Sequence, residues 1–515
     1  MWGNFDFNEH IPLARNTLET LFIFEASLKA GVGMFCEAYF LFALGLLSPV
    51  FQILYPSCFV PGSGCMQAST STTYVEIAGI IAGMLILGVL ADTLGRLWGS
   101  RVTALLMLGG GVIVVVAFGV TLTGQFAMYA IGLFVFSLGV GGEFPLASTS
   151  AAERAEAGIK RQRGRVMVMT FALQSWGSFI NTAVFCILLL ITDTGDCTKG
   201  NACSTQGLEI TWRVQYAVGL VCVAGMVYLR QTHLTESKMW LERHKQLMQL
   251  APAERKTERA TKLRHLCTAA YMPRLVGSAS CWFLWDLAFY GTKLFQATVL
   301  EVTIGSNPTL LQFMTLALLN NFIGLLGCYA AVAVIDVPWM GRTRLQGCGF
   351  GMTAVLFLLC GFLFETLSEP DNIGVFQFLY LFSTFFGQFG ANATTWLLPG
   401  EIFPTDTRSE CHGLSAAMGK LGALTATLWF SFGGPNNGPV DAQTIFIAGG
   451  FAGAIGLVLT VLFVPNTGTL DLDEVDKCWQ ARVAGKRYDG PAVEYRHLSY
   501  VEAWLGVDTA QAAHT

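Results

Sequence analysis

The chain has 515 residues, 53% of them hydrophobic and only 13% charged, with a formal net charge of −4. Soluble domains carry about 25% charged residues, so a string of soluble domains is excluded despite the length. A charge so close to neutral also argues against nucleic acid or another polyanion as a partner.

Residues 1–19 form a short N-terminal segment without the charged n-region, short apolar core and small-residue cleavage site of a removable signal. The first apolar span is therefore expected to act as the insertion signal. Mostly uncharged stretches are expected to cross the membrane over residues 20–53, 74–91, 102–122, 125–148, 166–192, 212–230, 273–302, 308–335, 345–366, 373–402, 411–432 and 441–464. Each is long enough to cross a ~30 Å hydrocarbon core as a helix. Between the sixth and seventh, the stretch from Arg230 to Arg274 holds ten of the 31 Lys and Arg residues. Its Glu236, Lys238, Glu242, Arg243 and Lys245 have the spacing of an amphipathic surface helix.

The expected fold is an all-α membrane protein of twelve transmembrane helices in two six-helix halves. The N-terminal half spans 20–230 and the C-terminal half 273–464, joined by a central loop at 231–272 and followed by a tail at 465–515. A six–loop–six layout is that of a secondary transporter. If both termini are cytoplasmic, the inner loops hold Arg96, Arg101, Arg154, Lys160, Arg161, Arg163, Arg165, Arg342, Arg344 and Arg408. The outer loops hold little beyond Lys199. The positive-inside rule then places both termini in the cytoplasm.

Four of the 14 cysteines, Cys58, Cys65, Cys197 and Cys203, lie in pairs in two expected outer loops. In an oxidising space they are candidates for disulfides, with pairing within or between loops left open, and this favours the plasma membrane.

Between spans two and three runs Asp92-Thr-Leu-Gly95-Arg96, and a related Asp336-Val-Pro-Trp-Met-Gly341-Arg342 follows span eight. Glycine permits a tight turn, and Asp and Arg form charge-assisted bonds at helix ends. Asp92, Arg96, Glu401 and Arg408 are expected to latch the inner helix ends. The repetition, once per half, resembles the signature loop of the major facilitator superfamily.

Ionisable groups at membrane depth are costly and usually face a polar cavity. In span seven Trp282, Asp286 and Tyr290 are four residues apart, which places them within about 80° on one helical face. Lys293 follows nearby. Span ten offers Asn392, and span eleven Lys420. Glu143 and Phe144 end span four, Gln174 lies in span five, and Glu37 lies in span one. An isolated buried carboxyl group such as Glu37 is a candidate proton carrier.

Taken together, Trp282-Phe-Leu-Trp-Asp286-Leu-Ala-Phe-Tyr290, the Asn392 to Lys420 block and Gly141-Gly-Glu143-Phe144-Pro145 resemble the proton-coupled phosphate transporters of plants and fungi. That branch of the superfamily binds phosphate between the halves. The resemblance implies substrate contacts from Gln174, Trp282, Asp286, Tyr290, Asn392 and Lys420, with Glu37, Glu143 and Asp286 coupling protons. This chain departs from the family at Phe144, where a tyrosine is usual, at Phe40, where a second aspartate is usual, and at Leu133, where an arginine is usual.

The expected function is proton-coupled uptake of inorganic phosphate by alternating access, as a monomer in the lipid bilayer. Alternatives are a phosphate ester such as a glycerophosphodiester or another organic anion, Na⁺ in place of H⁺, or a non-transporting nutrient sensor. No Walker loop, zinc-type His or Cys spacing or nucleophile elbow is present, so no enzyme activity, metal or cofactor is expected.

Overall fold

The computed structural model of the chain describes residues 17–59, 63–158, 162–198, 204–268, 271–294, 308–435, 438–468, 470–484, 486 and 498–505. Six long helices come first: α1 (Thr17–Leu54), α2 (Gly64–Leu94), α3 (Arg96–Val115), α4 (Leu122–Gly158), α5 (Arg163–Ile191) and α6 (Thr205–Thr232). Two short ones follow, α7 (Lys238–Met248) and α8 (Pro252–Leu266). The second set of six comprises α9 (Met272–Leu294), α10 (Leu310–Val334), α11 (Gly341–Phe362), α12 (Ile373–Ile402), α13 (Arg408–Phe432) and α14 (Ala442–Phe463). Helices α15 (Leu472–Val483) and α16 (Tyr500–Trp504) close the chain.

Ten of the twelve long helices are apolar enough to cross a membrane by length and composition. The other two, α9 and α13, have the length but carry Arg274, Asp286 and Lys293, and Arg408, His412 and Lys420. Those polar side chains lower their hydropathy, and two of them form the centre of the candidate site.

The ends of the helices differ from the sequence expectation for identifiable reasons. Helix α3 stops at Val115, not near 122, because the Thr121 hydroxyl accepts from the Gly124 N–H at 3.2 Å and starts α4 there. The apolar run between them is loop. Helix α4 continues to Gly158, about three turns past the expected end. The central loop holds two helices; Ser237 caps the first, its hydroxyl accepting from the Trp240 N–H, and Pro252 opens the second. Residues 295–302, expected to finish span seven, lie outside the described residues.

Within the first half α1 packs on α5, and α2 and α3 on α4. Within the second, α9 packs on α13 and α14, and α11 on α14. The halves meet through two helix pairs, α2 with α13 and α5 with α10. These are the second and fifth long helices of each half, exchanged, as a pseudo-two-fold axis requires. The interface ends in a basic end, carrying the α2–α3, α4–α5 and α12–α13 turns and the α7–α8 linker, and a disulfide end. At the latter Cys58 is bonded to Cys65. Cys197 is disulfide-bonded too, while Cys203 and Lys199 lie outside the described residues.

The linker helices clamp the basic end. Asp406, in the α12–α13 turn, lies 2.7 Å from Arg243 of α7 and 3.1 Å from Lys262 of α8. Burial opposes its charge, yet Arg243 and Lys262 hold its carboxyl below the ordinary range. From the tail, Asp476 of α15 accepts from the Thr405 N–H at 2.7 Å and from its hydroxyl at 2.6 Å.

Candidate substrate site and its gates

Midway along the interface, Lys420 of α13 donates to Asp286 of α9 at 2.7 Å, both side chains being 3% exposed. The ammonium lies 4.3 Å from the ring centre of Tyr290 and 5.1 Å from that of Phe144. Trp282, one turn from Asp286 on the same face, directs its indole toward the carboxylate. Its ring also packs against Phe144 at 6.2 Å and against His412 at 5.4 Å. The spacing of Trp282, Asp286 and Tyr290 thus becomes one continuous wall facing α13. Withdrawing two charges from water costs several kcal/mol per ion, recovered only while they remain paired.

Two further carboxyl groups lie within electrostatic reach of Lys420. Glu37 of α1, 1% exposed, accepts from the Gln174 amide of α5 at 3.1 Å through one oxygen. Its other oxygen has no hydrogen-bond partner among the described residues. Glu76 of α2 is 4% exposed and also keeps one unpartnered oxygen. Glu76 is absent from the sequence-derived set, although a lone acid inside an apolar stretch is the same signal that marks Glu37.

Glu143 has a different environment. Arg230, from the end of α6, makes a short ion pair with it and donates to Thr103 at 3.1 Å and to the Ser100 carbonyl at 3.0 Å. Leu133 and Phe40, where the resemblance expects an arginine and an aspartate, are fully buried in the apolar core. Phe40 stacks on Phe136 with ring centres 4.3 Å apart. A cation from α6 therefore compensates Glu143 where the fourth helix supplies none.

Asn392 also has partners of its own. A π-helical turn at Gln388–Asn392 bends α12. Within it Asn392 donates to Gln388 at 2.9 Å and accepts from the Trp285 indole at 2.6 Å. Its bonds are thus to Trp285, next to Asp286 in sequence but about 100° around the helix.

Toward the disulfide end a vestibule opens between the halves. Its walls include Ser48 of α1, Thr72 and Tyr74 of α2, Phe126 of α4, and Thr427 and Ser431 of α13. About 170 Å³ of it is open to the centres of water molecules. Ser69 ties the Cys58 carbonyl to α2 at 3.2 Å.

The basic end is shut by ion pairs related by the pseudo-two-fold. Gly95 and Gly341, with φ of +104° and +63°, turn the chain into α3 and α11, a conformation side chains rarely adopt. The next residue in each half reaches the end of the following helix: Arg96 pairs with Glu153 at 3.1 Å, and Arg342 with Glu401 at 3.0 Å. Each glutamate also takes an arginine from the other half. Arg163 of α5 pairs with Glu401 at 2.8 Å, and Arg408 of α13 lies 3.7 Å from Glu153. Asp336 accepts from the Gly164 and Arg165 N–H groups at the start of α5, at 3.2 and 2.8 Å. Glu401 and Arg408, grouped by the sequence as one latch, therefore belong to two symmetric ones. The Asp92 side chain lies outside what is described, as do Lys160 and Arg161.

Two pseudo-symmetric helical halves, a buried ion pair between them, a vestibule at one end and latches at the other define a membrane-embedded solute carrier. Residues 30–479 match the family described as "Sugar (and other) transporter", and the chain belongs to that family. It is 29% identical over 507 residues to a rice protein named probable inorganic phosphate transporter 1-3, covering 88% of this chain and 94% of that one. It is 28% identical over 503 residues to a petunia protein named low affinity inorganic phosphate transporter 1, covering 89% and 93%. Among solved structures, the proton:xylose symporter XylE bound to 6-bromo-6-deoxy-D-glucose superposes with a TM-score of 0.70 at 18% identity, covering 88% of this chain and 99% of that one.

Proposed function

We propose that the protein couples uptake of inorganic phosphate to protons, alternating access between the disulfide end and the basic end. The observation that carries this is the Lys420–Asp286 pair at 2.7 Å. A phosphate monoanion can take Lys420 only if Asp286 releases it, and a proton on Asp286 brings that about. Ammonium, carboxylic acid and monoanion together have the same net charge as ammonium and carboxylate. The site thus exchanges one buried anion for another without stranding a charge in a low-dielectric interior. A dianion needs a second proton, and the unpartnered oxygen of Glu37 can take it. Neutral donors stand around the pair, the Tyr290 phenol and the Trp282 indole, while the Gln174 amide holds Glu37. Asn392 orients Trp285 and so supports the wall from behind.

The names of the relatives support phosphate as the substrate. The bonded Cys58 and Cys65 suit an oxidising face, which supports the plasma membrane with both termini in the cytoplasm. Each chain has its own interface between halves and is proposed to work as a monomer. Phe144, placed over Lys420 without a hydroxyl, favours one second reading, a phosphate ester or other organic anion larger than phosphate.

The test is uptake of radiolabelled phosphate into proteoliposomes, with pH stepped from about 8 to about 5 and Na⁺ replaced by choline. Saturable uptake that rises toward acid and survives choline is expected. Absence of uptake by folded, inserted protein turns the reading to organic phosphates, and loss in choline turns it to Na⁺.

A further inference from the structure

A second polar cavity lies inside the C-terminal half, between α9, α10, α11 and α12, lined from α9 by Trp285, Ala288, Phe289, Thr292 and Lys293. Lys293, Asn320, Thr353, Tyr380 and Gln388 contribute its polar lining, and the described residues around it include no carboxylate. About 30 Å³ is open to the centres of water molecules, which is room for a single small oxyanion.

Its side chains are poorly matched to one another. Lys293 donates to Asn321 at 2.8 Å and has no acidic partner among the described residues. A cation left without a counter-charge at membrane depth is costly and marks a functional site. Asn320 is fully buried beside the Tyr380 phenol, with no hydrogen bond of full geometry among the described residues, and the Thr353 hydroxyl, 2% exposed, has no partner among them either. Buried groups left this way bear an uncompensated desolvation penalty, and a ligand in the cavity would satisfy them together.

We propose that this cavity is a second oxyanion subsite, held by Lys293 with Asn320, Thr353 and Tyr380 as neutral donors, and separated from the Lys420 site by Trp285. The single positive charge, with no carboxylate among the described residues of the lining, selects a small anion over a cation. That the anion is phosphate rests on the function proposed above. Asn321 in turn donates to Thr182 at 2.8 Å and to the Ser178 carbonyl at 3.4 Å. Occupancy at Lys293 therefore touches the α5–α10 contact between the halves.

Equilibrium binding of radiolabelled inorganic phosphate to the purified full-length protein counts the sites. Two per chain are expected in the wild type and one in Lys293→Gln. One is also expected in the isosteric Asn320→Asp, which sets a carboxylate against the anion while leaving the packing unchanged. Adding Lys420→Gln to either removes the remaining site. A single wild-type site that Lys420→Gln abolishes and Lys293→Gln leaves intact overturns the subsite while the phosphate reading stands. A single site abolished by Lys293→Gln and untouched by Lys420→Gln upholds the subsite and overturns the central one. No binding to folded wild-type protein overturns the subsite.

Discussion

Lys420 and Asp286 lie 134 residues apart in the chain and meet at 2.7 Å between its two halves. The contact closes α13 onto α9 and at the same time holds the ammonium that an incoming anion needs. Structure and coupling therefore depend on one bond, and the two can be separated by choosing which partner to remove.

Lys420→Met leaves Asp286 buried without a counter-charge. Breaking a buried pair this way costs about 3–5 kcal/mol, so a fall in thermal stability and loss of phosphate binding at the Lys420 site are expected. Asp286→Asn mimics the protonated acid. It should retain phosphate binding with an affinity that varies little with pH as long as phosphate stays a monoanion, yet lose net uptake because no proton can be released. Binding and uptake measured side by side on the two variants check this.

Glu37 and Glu143, both expected from sequence to carry protons, differ in the structure. Glu143 is paired with Arg230, whereas Glu37 has an oxygen without a partner. Glu143→Gln should therefore lower stability by about 3–5 kcal/mol and leave the pH profile of uptake in place. Glu37→Gln should flatten that profile with a small effect on stability. Thermal melts together with uptake at several pH values distinguish the two roles.

Arg163 joins the halves at the basic end through Glu401. Its loss should favour the state open at that end by a few kcal/mol, a shift of ten-fold or more in a two-state equilibrium. The readout is a thiol placed by Ser148→Cys, a buried position of α4 five residues before Glu153 and 3.5 Å from the Trp396 carbonyl of α12. A membrane-impermeant reagent supplied from the basic end should modify it at least about ten-fold faster when Arg163→Gln is present. An unchanged rate would show that Arg163 does not hold the gate.

Outside the membrane, the Asp406 clamp should respond to pH. Its folded-state pKa lies below the ordinary value, about 3.9, because Arg243 and Lys262 outweigh the effect of burial. Its contribution to stability is therefore full above that ordinary value and is lost as pH falls through the lower folded-state one. The difference in melting temperature between wild type and Asp406→Asn should be constant above about pH 5 and shrink toward zero in stronger acid.

Much of this is written locally in the sequence. Hydropathy marks the long helices, and the spacing of Trp282, Asp286 and Tyr290 gives a shared face because helical geometry is local. Glu76 is as visible as Glu37 by composition alone. The partners are not visible, because they are tertiary. Nothing near Glu143 in sequence points to Arg230, and nothing near Glu401 points to Arg163. Asn392 likewise reads as a binding residue, while its actual contact is with Trp285 across the cavity wall. Sequence supplies the ionisable groups; the packing of α2 on α13 and of α5 on α10 decides how they are shared.

The most direct test is the number of protons taken up when phosphate binds. Calorimetry at about pH 5, where phosphate is a monoanion, in buffers of different ionisation enthalpy gives that number. Exchange of Asp286 for phosphate at Lys420 predicts uptake of about one proton per anion bound at that site, read in the Lys293→Gln background, and none when Asp286→Asn is added. Binding without proton uptake in that background would contradict it, because Asp286 would then have kept its charge beside a second anion.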